Sequence, residues 1–132
     1  MAGHIISLYF KERGHDVTGF TRRPIDYCKN IIGDAMSVSD IKAALESDTY
    51  DVVINCIGIL NQFAEENKSA AVFLNGFLPH FIADTLKLNK TKFIHMSTDC
   101  VFAGNTGPYY EDSLRDGRIF YDRSNHSKRN KA

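Results

Sequence analysis

Neither sign of charge dominates this sequence: 16 Lys and Arg residues offset 16 Asp and Glu across 132 positions. Without a whole-chain field there is no electrostatic drive toward nucleic acid or an anionic membrane, so neither partner is expected. Cysteine is scarce, with only Cys28, Cys56 and Cys100, widely spaced and never in a C-x-x-C pair. That excludes a disulfide framework or a cysteine-based zinc site and suits a reducing, cytoplasmic compartment. No basic segment leads into an apolar signal core, and no run approaches the roughly 18 apolar residues of a membrane span. The histidines His4, His15, His80, His95 and His126 show no H-x-x-x-H or H-E-x-x-H spacing, so no metal is expected. A G-x-x-x-x-G-K-[ST] loop is missing too, which argues against an NTPase.

What is present is an alternation of helix and strand signals. Residues 5–13 are apolar enough for a buried helix, closed by Gly14. Residues 17–21 alternate as a strand that ends at Arg22, Arg23 and Pro24, and Ile31-Ile32 forms a shorter one before Gly33-Asp34. Ser37 with Asp40 resembles a capping box opening a helix over residues 41–46. The run DVVINCIGI, residues 51–59, has the continuous apolarity of a strand covered on both faces. A long helical region over 64–88 must kink or divide at Pro79. Residues 92–97 form the next strand, 98–107 its loop, and 117–124 a last helix, whereas 125–132 read as a solvated basic tail. Such alternation specifies an α/β fold: a Rossmann-like, doubly wound parallel sheet with helices on both faces.

Candidate site residues follow from the places where such sheets bind ligands. Gly3, just before the first helix, matches the third glycine of a dinucleotide fingerprint, the one that lets helix and strand pack closely. Arg22 and Arg23 stand about 20 positions later, where a carboxylate would select NAD. A guanidinium there pairs instead with the 2′-phosphate of NADP, so NADP is preferred and NAD remains compatible. Asp34 follows a strand and could bond an adenine edge, although most such Asp residues terminate strands or cap helices. Ser97-Thr98-Asp99 comes directly after a parallel strand, at its ligand-binding end; taken alone, a strand-terminal Ser-Thr is more often a turn or cap.

Taken together, HMSTDCVFAG (95–104), DVVINCIGI, the stretch Ala71 to Asn75 and Phe120-Tyr121 resemble, in order, the motifs of dTDP-4-dehydrorhamnose reductases within the extended short-chain dehydrogenase/reductase family. Cys100 replaces the usual aromatic of the first motif. The resemblance implies an NADPH-dependent oxidoreductase that reduces a keto group of a nucleotide-linked sugar for cell-surface polysaccharide precursors. It implies that Thr98 hydrogen-bonds the carbonyl oxygen and Tyr121 donates a proton. Cofactor contacts would come from Gly3, Arg22, Arg23, Asp34, Cys56, Ile57, Gly58 and Asn75, and copies of the chain could assemble as a homo-oligomer. A free Tyr has a pKa near 10, so a neighbouring cation is needed to stabilise the phenolate at neutral pH. The family supplies it from a Lys four residues after the Tyr; here that position is Asn125, and Lys128, seven residues after Tyr121, would lie about 10.5 Å from it along a helix axis.

The resemblance runs from Gly3 to about Ser124, as a partial NAD(P)-binding domain over 1–124 and an unrelated tail over 125–132. It includes neither the first strand nor the C-terminal substrate region, so a gap is expected beside the strands at 17–21 and 51–59, as in an incomplete or frame-shifted gene product. Asn125 leaves a second reading open: a non-catalytic NADP-binding protein resembling the regulatory subunit of methionine adenosyltransferase.

Overall fold

The computed structural model describes residues 2–105 and 107–125. Helix α1 spans Ala2–Glu12 and closes on Gly14, whose φ of +81° is open to glycine without strain. Strands β1 (Thr18–Thr21) and β2 (Lys29–Ile32) run parallel, with Thr18 opposite Lys29 and Thr21 opposite Ile32. Helix α2 (Val38–Glu46) crosses to β3 (Val52–Asn55). Two short helices, α3 (Asn61–Glu66) and α4 (Lys68–Ala71), a π-helical turn (Val72–Phe77) and α5 (Leu78–Leu86) then lead to β4 (Lys92–His95). Strand β4 pairs parallel with β3, Val52 opposite Lys92 and Asn55 opposite His95. A last helix, α6, covers Phe120–Ser124.

The parallel α/β expectation is met, and so is the gap. The ladders β1–β2 and β3–β4 are separate two-stranded sheets, with no strand between β1 and β3 among the described residues. Both pairs rest on one helical layer: Ile41 of α2 and Leu78, Ile82 and Leu86 of α5 form a buried cluster against which Phe20, Val53 and Phe93 pack. Full burial of such side chains contributes about 1.5–3 kcal/mol each and is the main force joining the two pairs. Helix α1 contains no buried residue, and Ile5 is 64% exposed, contrary to the buried helix expected at 5–13. Its apolar stripe has no continuous sheet to cover.

Three local departures have identifiable causes. Strand β3 is four residues long rather than nine, and Val52 at its start is 44% exposed. Beyond Asn55 the backbone bonds to side chains in place of a ladder, with Ile57 N–H donating to Asn55 Oδ1 at 2.9 Å. The long helix is divided at Asn67, whose side chain caps α4 by accepting from Ala70 N–H, and it widens into the π turn just before Pro79. Proline clashes with the carbonyl four residues back, and a wider turn relieves that clash. At α2, Ser37 caps as expected, accepting from Asp40 N–H at 3.3 Å, but the reciprocal arm reaches further back. Asp40 Oδ2 accepts from Asp34 N–H at 3.0 Å.

Candidate active site

The sequence-derived candidates gather at the carboxyl ends of the strands. Arg22 and Arg23 follow β1, both exposed, and line an open cleft of about 570 Å³. Thr21 turns the chain there by donating its hydroxyl to Arg23 O at 2.6 Å. After β2, Gly33 sits against Phe20 so closely that a Cβ would come within 2.6 Å of the ring. Asp34 beyond it closes a turn, Oδ1 accepting from Met36 N–H at 2.9 Å.

The segment after β3 is built on two asparagines. Asn55, 3% exposed, binds Ile57 N–H through Oδ1, while its Nδ2 is buried without a partner. Asn75, 1% exposed and facing in from the π turn, holds Ile59 by both backbone groups: Oδ1 accepts from Ile59 N–H and Nδ2 donates to Ile59 O, each at 2.9 Å. Gly58 between them is exposed, and a Cβ there would lie 3.1 Å from Asn75 Oδ1. Gly3 lies inside the first turn of α1 rather than ahead of it, and it faces Cys56: its Cβ would lie 3.4 Å from Cys56 Cβ. Burial pushes the Cys56 thiol above its ordinary pKa, so it is a thiol and not a nucleophilic thiolate.

After β4 the Ser97-Thr98-Asp99 segment forms a turn in which Cys100 N–H donates to Thr98 Oγ1 at 3.2 Å. With one lone pair so engaged, the Thr98 hydroxyl still has its proton to donate elsewhere. A cleft of about 670 Å³ opens beside it, lined by Asp99, Cys100, Phe102, Tyr109, Tyr110 and Glu111. Phe102 and Tyr109 stack within it, ring centroids 4.5 Å apart and planes 11° from parallel.

Tyr121 of α6 is 4% exposed and packs on Ala64 and Ala71, with Ile59 and Cys100 against the same cluster. Cys100 therefore links Thr98, through its N–H, to the buried cluster that contains Tyr121. Asn125, expected in a solvated tail, is 1% exposed and donates Nδ2 to Tyr121 O at 2.6 Å, with Oδ1 buried and unpartnered. It brings no charge to Tyr121. Lys128 and the rest of the expected tail lie outside the described residues.

Asn55 and the aromatic lining at Phe102 and Tyr109 were not singled out from the sequence. Asn55 alone left a signal there, as the polar interruption of an otherwise apolar run. Among the described residues no group of three or more His, Cys, Asp and Glu side chains comes together, and no helix is long and apolar enough to cross a membrane.

Comparison with known proteins bears on this arrangement. The family model described as the RmlD substrate binding domain matches residues 2–128. A protein of Haloferax volcanii named "Probable low-salt glycan biosynthesis reductase Agl14" is 30% identical over 115 residues, covering 85% of this chain and 38% of that protein. The crystal structure of a hypothetical dTDP-4-dehydrorhamnose reductase from Sulfolobus tokodaii aligns over 92% of this chain and 44% of its own, with a TM-score of 0.80 and 23% identity. A short chain dehydrogenase family protein from Francisella tularensis aligns over 92% of this chain and 52% of its own, at a TM-score of 0.61 and 15% identity. Both structural likenesses concern the fold. The chain thus spans less than half the length of the first two relatives.

Proposed function

The chain belongs to the RmlD substrate binding domain family, and from that membership we propose that it carries the cofactor-binding and proton-donating elements of an NADPH-dependent reductase. Its substrate would be the 4-keto group of a nucleotide-linked deoxysugar, made for cell-surface polysaccharide. The observation that carries the reading is that Cys100, bonded through its N–H to Thr98, packs against the buried cluster that contains Tyr121.

The residues at the strand ends suit the cofactor. Exposed guanidinium groups at Arg22 and Arg23 match the charge and bidentate geometry of a 2′-phosphate, and so favour NADP over NAD. Gly58 leaves its backbone open to a close approach, while Asn75 fixes the loop by holding Ile59. The partnerless Nδ2 of Asn55 is a buried donor in want of an acceptor, beside Cys56 and Ile57. Gly3 and Asp34 complete the set, Asp34 toward the adenine. NADPH, when bound, supplies the hydride.

On this reading Thr98 directs its hydroxyl proton at the carbonyl oxygen, and Tyr121 transfers its own proton to that oxygen as the alcohol forms. Asn125, neutral and engaged with Tyr121 O, leaves the phenolate without the cation the family places there, so slow turnover is expected. The three cysteines are free thiols, in keeping with a cytoplasmic enzyme.

The test is NADPH oxidation by the chain in the presence of a dTDP-4-keto-6-deoxy sugar. Turnover that disappears in Tyr121→Phe is expected. NADPH binding without turnover would refute the enzyme reading and favour a non-catalytic NADP-binding role.

A further inference from the structure

Helix α6 carries Tyr121, yet it is only five residues long and preceded by Ile119, which has no side-chain acceptor to cap it. A helix this short does not persist in water on its own. Its first N–H groups must find partners elsewhere or remain unsatisfied. Ile119 N–H donates to Asp122 Oδ2 at 3.1 Å, within the helix itself. The next two go to a residue 55 positions earlier in the chain: Glu65 Oε1 accepts from Phe120 N–H at 2.7 Å and from Tyr121 N–H at 3.4 Å.

Glu65 lies on α3, and its neighbours there continue the contact. Ala64, fully buried, packs on Tyr121, and Lys68 of α4 sits with Nζ 5.6 Å from the Phe120 ring centroid. A carboxylate at a helix N-terminus also meets the positive end of the helix dipole. Helix α3 leaves directly from the loop whose Ile59 is held by Asn75, so one helix joins the cofactor-side loop to the tyrosine. The Phe120 and Tyr121 N–H groups are the backbone on which the tyrosine ring hangs. Holding them fixes the ring within the cluster against which Cys100, the partner of Thr98, packs.

We propose that Glu65 is a positioning residue for Tyr121: its carboxylate caps α6 from α3 and sets where the tyrosine hydroxyl stands. The proposal rests on the reductase reading for what Tyr121 does there, but the clamp can be measured without it.

The experiment compares the full chain with Glu65→Ala and Glu65→Gln. Nitration by tetranitromethane, mapped by mass spectrometry, reports Tyr121, with Tyr110 at 65% exposure as the internal standard. The Tyr121 to Tyr110 ratio is expected to rise about fivefold or more in Glu65→Ala, as suits loss of a helix cap. Glu65→Gln, which keeps an acceptor oxygen, should restore most of the protection. In NADPH oxidation Glu65→Ala should lower kcat while leaving KM for NADPH unchanged. Should the alanine chain fail to fold by circular dichroism, Glu65→Asp, one methylene too short to reach both N–H groups, gives the same two readouts. An unchanged nitration ratio in a folded variant would overturn the clamp. An opened Tyr121 with undiminished kcat would overturn the positioning role. If the unmodified chain binds NADPH and turns nothing over, the reductase reading fails, and nitration alone decides whether Glu65 holds Tyr121.

Discussion

Asn75 grips Ile59 with both ends of its amide, accepting from the backbone N–H and donating to the backbone carbonyl at 2.9 Å each, across 16 residues of sequence. Replacing it with the similarly sized Leu leaves both part-buried backbone groups without these partners. At about 1–3 kcal/mol for each group, Asn75→Leu should cost about 2–6 kcal/mol in urea unfolding. A loss below about 1 kcal/mol would mean that water replaces the amide.

Cofactor choice should be decided at Arg22 and Arg23. Changing both to Ala is expected to weaken NADPH binding by about tenfold or more while leaving NADH binding nearly unchanged, since only NADPH carries the 2′-phosphate. Fluorescence titration with each dinucleotide measures this, and an equal loss for both would remove the phosphate assignment.

Asn125→Lys restores a cation one helical turn after Tyr121. Turnover should rise by about tenfold or more, because a nearby positive charge favours the phenolate. The site is 1% exposed, so the same change should lower the urea midpoint through the cost of burying an ammonium group. Steady-state assay and unfolding of one preparation measure the opposed effects.

Acid should unfold the chain partly through Asp40. Its carboxyl is held below the usual 3.8, first by the Asp34 backbone N–H and then by the Ser37 hydroxyl. The folded state therefore binds a proton there less readily than the unfolded state. The resulting stability is present above the unfolded pKa and is lost as pH falls through the lower folded value. Urea midpoints taken from about pH 5 down to about pH 3 should decline more steeply for the unmodified chain than for Asp40→Asn. Parallel curves would show that the folded and unfolded carboxyls titrate alike.

Gly117 bears on the site by its lack of a side chain. A Cβ there would collide with Asp122 Cβ and lie 2.9 Å from Cys100 O, so Gly117→Ala should push α6 away from the Cys100 turn. Overpacking of this kind costs about 1–3 kcal/mol. Thermal unfolding combined with Tyr121 nitration would register both the loss and the displacement.

The sequence by itself determined what depends on near neighbours. The Val, Ile and Phe runs fixed four parallel strands and the order of their crossovers, Gly14 ended α1, and Ser37 capped α2. The strand-end positions of Arg22, Gly58 and Thr98 were legible for the same reason, since a strand and the turn after it are encoded within about ten residues. Only the tertiary structure decided the rest. It stopped β3 at Asn55 because a side chain, not a strand, takes the next N–H. It left α1 without a fully buried residue where the two ladders do not join, and it buried Asn125 in what composition marked as a solvated tail. It also supplied the α6 cap from Glu65, 55 residues away. Hydrophobic periodicity records how often a face recurs, not which distant group will meet it, and hydrogen bonds across such separations leave no spacing to read.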